Sequence, residues 1–181
     1  MPINARLAVL VLSLIIATST ATLVYINIVA YPEGPSRSVC TPTRLGNYLF
    51  EAYIFPASPK VGEEFQITAT IQGAETSPTP LNITMMLLRP GSLSVILGPD
   101  PAPLGIKTWN YKIPEAGLYD VYFIVTDPGG SRQIRGRIQI LSENEASLYS
   151  IIRILSYASL WIGVPLLLAV IVFSKMGQGH E

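Results

Sequence analysis

One cysteine and one histidine stand among the 181 residues, and that scarcity removes most chemistry at once. Cys40 has no second cysteine with which to form an internal disulfide or a Cys-x-x-Cys metal or redox site. A blue-copper centre takes two histidines and a cysteine, and a dinuclear copper centre of the oxidase type takes two cysteines. Neither set exists here. The histidine, His180, lies beyond the second apolar run described below, so a predicted membrane separates it from any nucleophile in the middle of the chain. His-Glu-x-x-His, glycine-rich phosphate loops and EF-hand loops are also missing. Charge is sparse at 13% of residues, with twelve basic residues cancelling twelve acidic ones, against about 25% in ordinary globular chains. Nucleic-acid binding needs clustered cations to displace counterions, so that partner class is excluded. The expectation is a protein that is not an enzyme, with no catalytic, cofactor-binding or metal-ligating residue.

What the sequence does have is length of apolar run. Leu7 to Ala30 contains no charged residue, and at about 1.5 Å per residue it crosses the roughly 30 Å hydrocarbon layer. A cleaved signal peptide is the competing reading, since "STA" before Thr22 suits a signal peptidase. The apolar run continues well past the usual h-region of about 7–15 residues, which favours a retained anchor. A second run, Ile154 to Ser174, lies between Arg153 and Lys175, with Tyr149, Tyr157 and Trp161 near one interface. "SENE" at Ser142 to Glu145 has the form of a capping box, so this helix is expected to begin about two turns before the lipid. Pro165 is expected to kink it.

Between the runs, residues 31–46 are rich in Pro, Gly and Ser without periodicity and read as a linker. Residues 47–141 switch to a period of two. Seven strands are expected: Tyr48–Phe55, Glu64–Ile71, Leu81–Leu88, Leu93–Leu97, Ile106–Ile113, Leu118–Thr126 and Gln133–Leu141. The breaks are turn formers such as "PASPKVG", "GPDPAPLG" and "DPGG"; in the last, Pro128 and Gly129 suit the centre of a type II turn. Phe65, Ile67, Ala69 and Ile71 share one face of their strand, and Tyr119, Val121, Phe123 and Val125 share one face of theirs. Short strands at this spacing point to a sandwich with one core.

"PKVGEEFQITATI" and "PEAGLYDVYFIVTDPGG" resemble the immunoglobulin-like domains of prokaryotic surface proteins, in the PKD and CARDB style. The matching residues are Gly62, Gly117, Tyr119, Val121, Val125, Asp127 and Gly130. The resemblance covers about half the chain and implies a fold, a seven-stranded immunoglobulin-like sandwich, rather than an activity. The fold class expected for the whole is therefore membrane-anchored all-β, the sandwich flanked by two transmembrane helices. In order, the parts are a cytoplasmic tail (1–6), a transmembrane helix (7–30), the linker (31–46), the sandwich (47–141), a juxtamembrane helix start (142–153), a second transmembrane helix (154–174) and a second tail (175–181).

Weaker candidates have plainer readings. Met85 and Met86 offer thioethers to cuprous copper, but neighbours on one strand face opposite ways, and core filling is the better account. Asp100, Glu115, Asp120 and Asp127 lack EF-like spacing and suit turns and solvated carboxylates better than a calcium site. Cys40 reads as a free thiol in a loop, with an intermolecular disulfide or lipidation as alternatives. Arg132, Arg135 and Arg137 read as a charged edge strand that blocks unwanted pairing. Asn82-Ile83-Thr84 makes Asn82 a candidate glycosylation position. In the first helix Ser13, Ala17 and Ala21 recur every four residues, and Ser13, Thr20 and Asn27 every seven; the second offers Ser159 and Gly163. Small residues at such spacing let helices approach closely in lipid.

The function expected is a non-enzymatic accessory or scaffolding subunit of a membrane complex, with both termini cytoplasmic and the sandwich extracytoplasmic for protein contacts. Its partners would be the lipid bilayer and other membrane subunits or itself. A free-standing envelope binding protein and a metal-delivery or oxidase-assembly accessory protein are the alternatives.

Overall fold

The computed structural model describes residues 3–73, 81–89 and 95–176. They form two compact units: residues 33–143, whose regular structure is mostly strand, and a pair of long helices.

In the first unit nine strands make two antiparallel sheets: β1 (Arg37–Ser38), β2 (Thr43–Leu45), β3 (Tyr48–Phe55), β4 (Glu64–Gln72), β5 (Leu81–Leu88), β6 (Val95–Ala102), β7 (Ile106–Lys112), β8 (Gly117–Asp127) and β9 (Gly130–Ile140). One sheet runs β1-β3-β4-β7 with β2 also on β3, and the other β6-β5-β8-β9. The alternation read from the sequence is what the packing obeys. Phe65, Ile67, Ala69 and Ile71 are buried, as are Tyr119, Val121, Phe123 and Val125, and both sets join one core. The Phe50 and Phe123 rings, 5.2 Å apart, link the two sheets, with Trp109 against Phe123 at 6.3 Å. Truncating a ring as buried as Phe123 costs about 3–5 kcal/mol.

This strand order is that of an immunoglobulin-like sandwich, with three main strands in one layer and a four-strand layer that has a single crossover, from β5 to β8. Near the start of β8 the Tyr119 hydroxyl donates to the Glu115 carbonyl at 3.0 Å, the tyrosine corner of that fold. The "G-x-Y" motif marks this corner.

Three local readings need correction. Residues 31–46 are not wholly a connecting loop: β1 and β2 lie within them, paired to β3, and Val39, Cys40 and Leu45 enter the core. The fourth expected strand runs on through "GPDP", which had looked like a turn. Pro99 and Pro101 are tolerated because β6 is an edge strand and an extra residue bulges between Leu97 and Asp100. Gly98 sits in that bulge at φ +105, so close to Ile83 that a Cβ would fall 2.8 Å from its carbonyl oxygen. Leu93 and Ser94, in the expected strand, lie outside the described residues. In the β8–β9 hairpin the positive φ falls on Gly130 rather than Gly129, and the Asp127 carboxylate accepts the Gly129 N–H at 2.7 Å, holding the turn from its side chain.

The second unit is α1 (Ile3–Tyr25), which continues as a π-turn over Ile26–Ala30, and α2 (Glu143–Met176). Helical residues Asn4–Ala30 and Glu143–Met176 are both long and apolar enough to cross a membrane. The second helix starts directly after Ser142, where the capping sequence placed it, and runs unbroken through Pro165.

Candidate functional site

Two places among the described residues combine close backbone approach with buried or clustered charge: the seam between the two helices and the β9 side of the sandwich.

The helices pair antiparallel. Gly163 faces Ile16, close enough that a Cβ on the glycine would lie 3.3 Å from the isoleucine Cγ1, while Tyr149 and Arg153 meet Tyr31 near the other end. Buried positions on α1 and its π-turn are Ser19, Leu23, Ile26 and Ala30; those on α2 are Ala146, Arg153, Ser156 and Gly163. Both sets step by threes, fours and sevens, the pattern of a left-handed two-helix seam. Arg153 is only 6% exposed. Its Nη2 donates to the Tyr31 carbonyl at 2.5 Å, and its guanidinium lies 5.1 Å from the Tyr31 ring centroid. Tyr149 stacks on that ring from α2, at 6.3 Å. A cation placed on the last carbonyl of a helix meets the negative end of its dipole, so Arg153 closes the C-terminal end of the first helix.

The expected packing stripe lies elsewhere on α1. Ser13, Ala17, Thr20 and Ala21 are exposed, on a face roughly 120° round from the seam at 100° per residue. They do not pair with α2. The Thr20 hydroxyl donates to the Ile16 carbonyl at 2.8 Å, and that of Ser159 to Leu155 at 2.9 Å, so both satisfy their own helix. Gly163 does lie on the seam. Asn27 is half-buried in the π-turn, and its Oδ1, closed off from solvent, has no hydrogen-bond partner among the described residues. The seam residue missed from sequence is Arg153, read there only as a flanking charge. Its place ten residues past the start of a long apolar helix was the available signal.

On the sandwich, Val39 bridges the two sheets: its N–H donates to Ala52 at 2.8 Å and its carbonyl accepts from Arg137 at 3.0 Å. Gly136 makes room for that crossing, since a Cβ there would fall 2.5 Å from the Val39 oxygen. Beside it an open groove of about 560 Å³ lies between Val39–Pro42 and Arg135–Arg137. Cys40 is buried in the core rather than free in a loop, and burial pushes its thiol above the ordinary range, against a backbone hydrogen bond from Ala52 that lowers it. Asp120 accepts from Arg135 and Arg137, each at 3.0 Å, and those bonds hold its carboxyl below the usual range. Arg135 also lies over the Tyr122 ring at 5.8 Å.

The four carboxylates weighed for calcium are engaged separately. Asp100 takes Lys107 and the Trp109 indole, Glu115 takes Arg89, Asp120 takes its two arginines and Asp127 its own turn. No group of three or more metal-capable side chains comes together among the described residues. Met85 is fully buried in the core, and Met86 points to the opposite face, half-buried. Asn82 is exposed on β5, a central strand. His180 lies outside the described residues.

No protein-family model matches the chain, and no curated protein matches it either. Among solved structures it is similar to the PmoD soluble domain from Methylocystis sp. ATCC 49242 (Rockwell), at 14% identity over 57% of this chain and 98% of that one, with a TM-score of 0.39. It is also similar to the PKD domain of an M14-like peptidase from Thermoplasmatales archaeon SCGC AB-540-F20, at 16% identity over 50% of this chain and 91% of that one, with a TM-score of 0.33. Both overlaps are loose, and the sandwich stands on its own strand order and tyrosine corner.

Proposed function

We propose that the chain is a two-pass, non-enzymatic accessory or scaffolding subunit of a membrane protein complex. The sandwich lies on the extracytoplasmic side and makes protein contacts, and both termini of the chain lie in the cytoplasm. The observation that carries this reading is the helix pair itself. Two apolar helices, one before and one after the sandwich in the sequence, close on each other through a seam that ends in the buried Arg153–Tyr31 contact. Helices that only tethered the domain would need no such seam, whereas a paired unit offers its remaining faces to other helices in lipid. Ser13, Ala17 and Ala21, exposed on α1 and unused by α2, supply a face on which another helix backbone approaches closely.

The test is purification in mild detergent from native membranes, followed by mass spectrometry of the accompanying polypeptides. Recovery in fixed ratio with a larger membrane protein is expected. Recovery alone, or only with itself, replaces the reading with a free-standing envelope protein. Recovery with stoichiometric copper replaces it with metal delivery.

A further inference from the structure

The connection between β8 and β9 has two residues, with Asp127 and Gly130 as the closing pair. Ladder alternation then turns the backbone groups of residues 130, 132 and 134 toward β8 and those of 131, 133, 135 and 137 away from it. The far half of this outer edge bears that out and is covered by the chain itself: the Arg137 N–H donates to Val39 and the Leu141 N–H to Pro59, while the Leu141 carbonyl accepts from Val61. The near half differs. Ser131, Gln133 and Arg135 direct their backbone N–H and C=O groups outward with no partner among the described residues. No proline or bulge interrupts β9, so this half has the regular geometry that strand addition needs.

Charge decides what such an edge accepts. Arg135 and Arg137 stand on one face along it and share the Asp120 carboxylate, leaving two positive groups against one negative, while Arg132 lies on the other face with its guanidinium against Gly46. The Arg135 and Arg137 side chains remain 53% and 60% exposed despite that pairing. A second copy of β9 would bring the same arginines against these, which like-charge repulsion disfavours. An acidic strand meets the opposite condition. Where the chain leaves the edge at Val39, the groove of about 560 Å³ beside Arg135 and Arg137 continues the same track.

We propose that the open half of β9, from Ser131 to Arg135, receives an extended segment of a partner protein as an added strand, with acidic residues at alternate positions facing Arg135 and Gln133. This rests on the reading of the sandwich as a domain for protein contacts and names the surface that makes them. The arginines that block pairing with basic or identical strands select for this one.

The experiment uses the full chain in nanodiscs and a fluorescent peptide of alternating Glu and Val, with a Lys–Val peptide as control. Saturable binding of the acidic peptide only is expected, with slowed amide exchange at Ser131, Gln133 and Arg135. Gln133→Pro removes an N–H that points away from β8, so it leaves the β8–β9 ladder intact and should weaken binding tenfold or more. Arg135→Gln should weaken it severalfold and flatten its salt dependence. No saturable binding overturns the proposal, as does binding that ignores Gln133→Pro without altered exchange at those three amides, since attraction of charge alone behaves that way. If Gln133→Pro fails to fold, the exchange measurement on the unaltered chain decides. Co-purification through the helices is a separate result, so the surface can fail while the subunit reading stands.

Discussion

Arg153 on α2 donates to the main-chain carbonyl of Tyr31, 122 residues earlier, and lies over its ring. One side chain therefore joins the exit of the first helix to the early turns of the second. A hydrogen bond from a charged donor contributes about 1.5–3 kcal/mol, and a cation over an aromatic ring about 0.5–2 kcal/mol. Arg153→Ala should lower the thermal midpoint of the helix pair in detergent by several degrees, and Arg153→Lys should restore part of it. An unchanged midpoint would mean that the contact is incidental.

Gly163 is the close-approach point of the seam, with the Ile16 side chain where its own would be. Gly163→Leu should force the helices apart at a cost of about 1–3 kcal/mol. Gly163→Ala meets only the movable isoleucine at 3.3 Å and should be far milder. A pair of cysteines at positions 16 and 163 reads the distance: rapid disulfide formation in the otherwise unaltered chain, and slow formation when α1 and α2 do not pair.

Cys40 labelling reports on the strap that joins the sheets. The thiol is buried and its ionisation is suppressed by that burial, so maleimide should react slowly at neutral pH until the sandwich opens. Gly136→Ala places a methyl within 2.5 Å of the Val39 oxygen and should displace residues 39–42. The labelling rate of Cys40 should rise by at least tenfold while the rest of the sandwich stays folded. An equal rate in both proteins would show that the strap is not held by this crossing.

Sequence patterning carried the main strands and both helices because each has a strong local cause: period-two burial in the sheets, unbroken apolar length in the helices. It failed where the cause is distant. Nothing local in "SRSVCTPTRL" says that Val39 will bond to two sheets, because both partners, Ala52 and Arg137, come later in the chain. The helix seam was hidden for another reason. An apolar run in lipid shows little contrast between faces, so the spacing of small residues drew attention to Ala17 and Ala21 while Leu23 and Ile26 carry the packing. On the sandwich, the arginines of β9 were visible, but which half of that edge stays open depends on where Val39 and Pro59 land.

The Asp120 carboxylate gives a pH dependence of known sign. Its bonds to Arg135 and Arg137 depress its folded-state pKa below the unfolded value of about 3.9. The stabilisation is therefore present above that unfolded value and is lost as pH falls through the folded one. The group is solvent-exposed, so high salt should shrink the effect. Thermal midpoints of the unaltered protein and Asp120→Asn should differ near neutrality and converge in strong acid. A gap that persists at low pH would assign the difference to something other than this carboxylate.

The most direct measurement separates the two faces of α1. Ala17→Leu with Ala21→Leu bulks the face that α2 leaves open, and the composition of the particle purified from native membranes is then compared with that of the unaltered chain. The account predicts that the 16–163 disulfide still forms in the altered chain while the accompanying membrane protein is lost. Retention of that companion at full ratio, or the absence of any companion from the unaltered particle, would contradict it.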